Sequence, residues 1–144
     1  MRILLMILLV FGICFADSTF VVKEVVRVYD GDTFFATLEG VHPFFGENIG
    51  IRLNGIDTPE IRTRDLEEKA LAQEVRDSLA QLLRNAERIE LRNCQRGKYF
   101  RIIADVVVIT TTEVNASEVI LGTGYAIPYD GGTRNDVWGS DTDE

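Results

Sequence analysis

The sequence predicts an α+β domain that is mainly β: a five-stranded barrel with one long and one short helix. Short β-branched segments separated by turn residues make up most of the chain. Residues 65–86 instead repeat their apolar side chains at helical spacing. With 144 residues and 46% hydrophobic content, the chain can bury one core, so we expect a single domain.

The first three strands are predicted on either side of two turn regions. Residues 19–28 and 33–38 are rich in β-branched and aromatic residues and flank the dipeptide Asp30-Gly31, which is typical of hairpin turns. Residues 40–50 contain a proline and three glycines, which indicates a loop. A third strand is then expected over 51–56.

The long helix is predicted from Asp65 to about Ala86, with its apolar face toward the core. That face comprises Leu66, Ala70, Leu71, Val75, Leu79, Leu82, Leu83 and Ala86. Two more strands, 88–91 and 99–109, are predicted around a turn at 95–97, and the second would carry Arg101. A short helix over 115–121 and an extended segment over 125–128 complete the prediction. Five short strands with inserted helices are typical of the OB-fold, which repeatedly binds nucleic acid across one face.

Two acidic clusters flank a segment that contains an arginine. They are Asp30-Gly31-Asp32-Thr33 and Asp57-Thr58-Pro59-Glu60, with Arg52 between them. Each has a structural explanation: a hairpin turn for the first, a helix start capped by Thr58 for the second, and a solvated strand residue for Arg52. Their occurrence together in one short domain favours a chemical explanation instead.

Carboxylates beside guanidinium groups suit a metal-assisted attack on a phosphodiester. Oxygen ligands without histidine or cysteine favour a hard cation such as Ca²⁺, and Asp32 and Asp57 are the first ligand candidates. Glu60 is spaced to act as a general base. Arg52 and Arg101 present planar forks of donors that match two phosphate oxygens.

The motifs resemble those of the staphylococcal nuclease (thermonuclease) family. The resemblance runs from about residue 21 to 129 and rests on three segments in the family's order and approximate spacing. They are Val28-Tyr29-Asp30-Gly31-Asp32-Thr33, Arg52-Leu53-Asn54-Gly55-Ile56-Asp57-Thr58-Pro59-Glu60 and Lys98-Tyr99-Phe100-Arg101.

The resemblance implies an OB-fold nuclease that uses Ca²⁺ to cleave DNA and RNA, preferentially single-stranded, and leaves 3′-phosphates. By position it implies Asp32, Asp57 and the Thr58 carbonyl as calcium ligands, Asp30 as their outer support, Glu60 as general base, Arg52 and Arg101 as phosphate clamps, and Tyr99 beside the substrate phosphate. One departure is Phe100, where the best-known members carry glycine. We therefore expect a stiffer backbone and a more apolar surface near Arg101.

The N-terminus has the layout of a secretory signal. Residues 1–16 open with Arg2, continue as an apolar run and end at Ala16. We therefore expect export to the periplasm or the medium, a nuclease domain over 17–129 and a polar acidic tail over 130–144. Cleavage would leave Cys94 as the only cysteine, so the exported domain would have no internal disulfide.

The charge of the chain is unusual for a protein that binds polyanions. The net charge is −8, and because residues 1–16 contain one basic and no acidic residue, cleavage changes it to −9. Binding to long duplex DNA should therefore be weak unless the basic residues cluster. Two other functions stay open: a non-catalytic OB module that binds single strands or a partner, and a secreted domain stabilised by calcium. We expect a monomer without stable membrane association.

Overall fold

The computed structural model describes residues 19–132. The predicted signal peptide and residues 133–144 of the predicted tail lie outside the described residues. Among those described, no helix is long and apolar enough to cross a membrane. In chain order the elements are β1 (Phe20–Val28), β2 (Thr33–Leu38), α1 (Pro43–Gly46), β3 (Ile49–Leu53), β4 (Ile56–Asp57), α2 (Leu66–Arg84), β5 (Arg88–Arg96), a 3-10 turn (Lys98–Phe100), β6 (Ile102–Ile109), β7 (Glu113–Asn115), α3 (Ala116–Leu121) and β8 (Ile127–Pro128).

Five strands close into a mixed barrel, as the sequence predicts for an OB-fold. β1, β2 and β3 pair antiparallel in succession, and β5 pairs antiparallel with both β1 and β6. The parallel pairing of β3 with β6 closes the barrel. β7 adds to β6 outside the closed set, and β4 and β8 form a separate two-stranded ribbon.

The core fills the barrel and is closed at one side by α2. Phe34, Ile51 and Leu91 are completely buried inside the barrel, and Val75 and Leu79 of α2 pack against them in one cluster. A fully buried side chain of this size contributes about 1.5 to 3 kcal/mol. The barrel and the helix therefore share one hydrophobic core.

The predicted apolar face of α2 is wrong at its first two positions. Leu66 is 80% exposed and Ala70 is also exposed, whereas Ala72 is completely buried. Leu66 is the first helical residue, directly after the N-cap Asp65, and this first turn precedes the part of the helix that packs on the barrel. Ala70 lies about 200° around the helix from Ala72 and so faces solvent.

Two predicted strand boundaries and one loop also differ. The loop 40–50 contains the short helix α1, and β3 begins within it at Ile49. The third strand stops at Leu53, and a turn at Asn54-Gly55 separates it from β4. The sequence prediction did not include β7. The predicted short helix over 115–121 is confirmed as α3. It begins after Asn115, whose side chain accepts a hydrogen bond from the Ser117 backbone N–H at 2.8 Å.

A larger difference lies between the last two barrel strands. β5 runs on to Arg96, and β6 starts only at Ile102, so residues 99–101 are not in a strand. Tyr99 and Phe100 both have positive φ angles, 57° and 64°, within the 3-10 turn. The Gly97 N–H donates to the Arg101 carbonyl at 2.8 Å and closes this turn. Arg101 thus leaves the base of a turn directly before β6.

Candidate active site

One guanidinium group joins the two acidic clusters. Arg52 on β3 donates from Nη1 to Asp32 Oδ1 at 2.9 Å and from Nη2 to Asp57 Oδ1 at 3.0 Å. The two aspartate side chains are 3% and 7% exposed, and the arginine side chain is 20% exposed. We call these three residues the buried ion-pair cluster. The fold therefore brings together residues that lie up to 25 positions apart in the chain.

The β1–β2 turn holds Asp32 in place. The Asp32 N–H donates to Asp30 Oδ1 at 3.3 Å, and the Thr33 hydroxyl donates to Asp32 Oδ1 at 2.7 Å. Gly31 is required at the centre of this turn because a Cβ there would lie 2.3 Å from a methyl carbon of Val75 and 3.0 Å from one of Thr58. The missing side chain lets α2 and the Asp57-Thr58 segment pack directly under the turn.

Asp32 resists ionisation in this environment. Burial raises the pKa of Asp32 to about 7, and the carboxylate of Asp30 also raises it. The Arg52 guanidinium and the Thr33 hydroxyl act in the opposite direction, since both favour the charged form. A bound cation would act in the same direction as Arg52.

The second acidic cluster is not a helix start. Asp57 is the last residue of β4, and the chain then runs without regular structure to the N-cap Asp65, so Thr58 caps no helix. Asp57 and Thr58 are buried, whereas the Glu60 side chain is exposed. The Glu60 backbone N–H donates to Glu68 Oε1 of α2 at 3.1 Å. Within four residues the segment thus passes from buried side chains at the bottom of the site to an exposed side chain at its edge, which we call the rim.

The aliphatic part of the Arg101 side chain packs against a glycine of β3. A Cβ on Gly50 of β3 would lie 2.9 Å from Cγ of Arg101, so glycine allows the stem of the arginine to lie against the strand. This close approach directs the Arg101 side chain along the edge of the site. The sequence predicts Gly31 only as a turn residue and gives Gly50 no role beyond the loop, since a glycine needed for packing looks the same in sequence as a glycine in a turn.

A cavity of about 500 Å³, the site cavity, collects these residues. Seven of the eight predicted site residues line it: Asp30, Asp32, Arg52, Asp57, Thr58, Glu60 and Arg101. Arg62 and Lys98 add positive charge to its wall, and Tyr29 and Tyr129 add hydroxyl groups. Tyr29 lies in the first segment that carries the family resemblance but had no predicted role, and Tyr129 carried no clear signal in the sequence.

Tyr99 is the predicted site residue that does not line this cavity. Its side chain is 90% exposed, at the tip of the 3-10 turn, and it lines a neighbouring cavity instead. The strand predicted over 99–109 would have fixed its direction, but the turn rotates it outward. The cavity beside the ion-pair cluster is reached by Arg101 rather than by Tyr99.

The oxygen atoms in the site cavity fit a hard cation that binds only a few protein side chains. Asp32 and Asp57 use Oδ1 for Arg52, and their Oδ2 atoms take no part in those two ion pairs. Within residues 19–132 no three acidic, histidine or cysteine side chains gather closely enough to hold a metal ion by themselves. A cation here would therefore need backbone and water oxygens as well, which Ca²⁺ accepts.

Comparison with known proteins identifies the family of the chain. The family described as staphylococcal nuclease homologue matches residues 50–137, which is more than half of the chain. The match includes Arg52, Asp57, Glu60 and Arg101 and the whole of α2. Among curated proteins, none matches the chain. The chain belongs to the staphylococcal nuclease family.

Proposed function

We propose that this chain is a secreted, Ca²⁺-dependent nuclease that hydrolyses phosphodiester bonds in DNA and RNA and leaves 3′-phosphates. The observation that carries the proposal is the shared site cavity, where four carboxylates and two arginines of the family motifs face one space. The membership of the chain in a nuclease family supports the same conclusion.

Asp32, Asp57 and the carbonyl oxygen of Thr58 would hold the calcium ion, and Asp30 would support them through the Asp32 backbone. A bound Ca²⁺ supplies positive charge beside a phosphate oxygen and the attacking water. The raised pKa of Asp32 is consistent with this role, because a cation is the partner that an ionised, buried carboxylate needs.

The two arginines would neutralise the phosphate from two sides. Arg52 uses two of its five N–H donors on aspartates in the described structure, so further donors of the same planar fork remain for a phosphate oxygen. Arg101 reaches the cavity from the base of the 3-10 turn, directly before β6, across Gly50. Both charges would be most valuable as negative charge builds up on the phosphate in the transition state.

Glu60 would act as the general base. In the proposed step it removes a proton from water, the water oxygen attacks phosphorus, and the bond from phosphorus to the 5′ oxygen breaks. The 5′ oxygen takes a proton from solvent and leaves as a hydroxyl group, Glu60 returns its proton to solvent, and the phosphate stays on the 3′ oxygen. The position of Glu60 on the exposed rim gives it access to solvent water, and such a base contributes roughly 10²- to 10⁴-fold in rate.

The substrate we propose is single-stranded nucleic acid, cleaved internally by a monomer. The turns between barrel strands one and two and between strands four and five are nucleic-acid-binding loops in OB-folds. Here those turns carry Asp30 and Lys98 and both line the site cavity. Single strands fit into a cavity of this size more readily than a duplex does.

The test is cleavage of denatured DNA and of RNA by the exported chain, in Ca²⁺ and in chelator. We expect calcium-dependent cleavage that falls by at least about 100-fold in Glu60→Gln and is unchanged in Glu74→Gln, an exposed glutamate of α2 that does not line the cavity. Sequencing the N-terminus of the exported protein tests cleavage after Ala16. A folded wild type that binds single strands but cleaves neither substrate would support the binding module instead.

A further inference from the structure

Three aromatic rings are exposed on the surface beside the site cavity. Phe44 is 79%, Phe45 59% and Phe100 61% exposed. Of the six phenylalanines in residues 19–132, these are the three that stay more than half exposed, whereas Phe34 is fully buried. Exposed rings that cluster in this way usually mark a binding surface rather than a packing defect.

The three rings come from two separate segments that meet at one place. Phe44 and Phe45 lie on α1, between β2 and β3, and their rings touch edge to face with centroids 5.0 Å apart. Phe100 lies on the 3-10 turn between β5 and β6. All three line one cavity of about 610 Å³, the aromatic cavity, together with Tyr99.

The aromatic cavity adjoins the site cavity and shares part of its wall. Tyr29, Arg62 and Arg101 line both. Because Arg101 is the arginine that we propose to bind phosphate, a nucleotide attached to that phosphate would extend along the shared wall. Its base would reach the rings of α1 and of the 3-10 turn.

Guanidinium groups lie against the aromatic rings in this region. Arg96 lies 4.3 Å from the centroid of the Phe100 ring, and Arg27 lies 3.9 Å from that of Phe35. Arg62 lies 5.5 Å from the ring centroid of Tyr29. Rings for base stacking next to arginines for the backbone are the combination that binds single-stranded nucleic acid without a fixed sequence.

We propose that Phe44, Phe45 and Phe100 form a platform on which one base of a single-stranded substrate stacks while its neighbouring phosphate lies at Arg101. This inference rests on the proposed nuclease function and specifies its substrate: a single strand with an unpaired base beside the cleaved bond. Stacking does not depend on net charge, so the platform also gives an acidic chain a means to hold a polyanion.

The experiment uses the full chain in a Glu60→Gln background with Ca²⁺, so that single-stranded DNA stays intact. Each oligonucleotide carries 2-aminopurine, whose fluorescence is quenched by stacking, at one position. We expect quenching at one position or two adjacent ones. Phe44→Ala and Phe100→Gly should abolish it and weaken binding by about tenfold for each ring. Leu66→Ala, an equally exposed apolar residue that lines neither cavity, should change nothing.

An abasic oligonucleotide distinguishes stacking from a general effect on the surface. If a base stacks on the platform, removing it should weaken binding to the wild-type platform about tenfold and leave the Phe44→Ala variant unaffected. Equal losses on intact and abasic strands would overturn the proposal. So would unchanged DNA binding in the Phe44→Ala and Phe100→Gly variants, together with a concentration-dependent dimer that these substitutions dissociate.

Failure of the platform and failure of the proposed function can be told apart. Cleavage by the wild type without any quenched position would reject the platform and keep the nuclease. Quenching that depends on Phe44, in a protein that cleaves neither DNA nor RNA, would support the platform and reject the nuclease, leaving a single-strand binding module.

Discussion

Two arginines in this protein each join two carboxylates, and the two groups differ chiefly in the exposure of those carboxylates: 3% and 7% around one arginine, 16% and 51% around the other. Arg52 connects Asp32 and Asp57 inside the site cavity, where its side chain is 20% exposed. Arg92 on β5 connects Glu90, at 2.8 Å, with Glu113 of β7 on the outer surface of the barrel. The donors and acceptors are of the same types in both places.

The difference shows what burial adds to an ion pair. In water a guanidinium and a carboxylate lose little on separation, so the Arg92 group mainly ties β7 to the sheet. In the site cavity the carboxylates depend on positive charge from Arg52 or from a cation, because few water molecules can replace it. The buried ion-pair cluster therefore requires a cationic partner, which agrees with the proposed metal site, whereas the group around Arg92 is structural.

The largest effect should follow removal of the buried guanidinium. Arg52→Met leaves Asp32 and Asp57 buried without their partner, and we expect the free energy of unfolding to fall by about 3 to 5 kcal/mol. Urea denaturation in chelator measures it. Adding Asp57→Asn should restore part of the loss, since it removes a buried carboxylate that has lost its ion pair with Arg52. Arg92→Met, the matched change on the surface, should have a much smaller effect, and equal losses would contradict the comparison.

Calcium should stabilise the protein through the buried cluster alone. At a concentration 100 times its dissociation constant, a ligand that binds only the folded state adds about 2.7 kcal/mol to the free energy of unfolding. We expect this gain in the wild type and in Glu90→Gln, and we expect Asp57→Asn to lose it. Thermal unfolding with and without Ca²⁺ measures the shift. A gain that persists in Asp57→Asn would place the calcium elsewhere.

The sequence predicts the buried part of the site better than its rim. Asp32, Arg52 and Asp57 lie on or directly beside β-strands, where alternation and turn chemistry fix the direction of each side chain. The same rules predict the five barrel strands and α2. Local propensity could not reveal that Thr58-Pro59-Glu60 stays outside a helix, because Asp65 offers a competing cap that leads directly into the segment packed on the barrel.

The rim depends on backbone conformations that local sequence rules do not predict. Tyr99 and Phe100 look like strand residues because aromatic side chains favour strands, yet both adopt positive φ in the 3-10 turn. The turn joins β5 to β6, whose register includes an irregularity between Arg92 and Gln95. The aromatic platform was missed for the same reason, since it forms only where α1 and this turn meet.

The positive φ angle of Phe100 allows a separate test of strain in the 3-10 turn. A non-glycine residue at positive φ costs about 1 to 2 kcal/mol, and glycine costs roughly 0.5 to 1 kcal/mol through its freedom in the unfolded chain. We therefore expect Phe100→Gly to raise the free energy of unfolding by about 0.5 to 1 kcal/mol. Phe100→Ala removes the same ring without relieving the backbone and should not stabilise. Equal stabilities of the two variants in urea would show that φ at this position is not strained.

The smallest effect should come from the exposed arginine group, and it should depend on pH. Hydrogen bonds from Arg88 and Arg92 lower the pKa of Glu90 below its usual value of 4.5. The stabilisation is therefore present above pH 4.5 and is lost as the pH falls through the lowered value. At pH 7 we expect Glu90→Gln to lower the free energy of unfolding by on the order of 0.5 kcal/mol.

Urea denaturation of Glu90→Gln and wild type between pH 3 and 7 checks this, and 1 M salt should remove the difference at pH 7 because the pair is screened there. The decrease in the free energy of unfolding caused by Arg52→Met should persist in the same salt, because Asp32 and Asp57 are too deeply buried for counterions to screen them. If salt reduced both losses to the same extent, burial would not be what separates the two arginines. Their different roles would then have to come from the cation and the substrate alone.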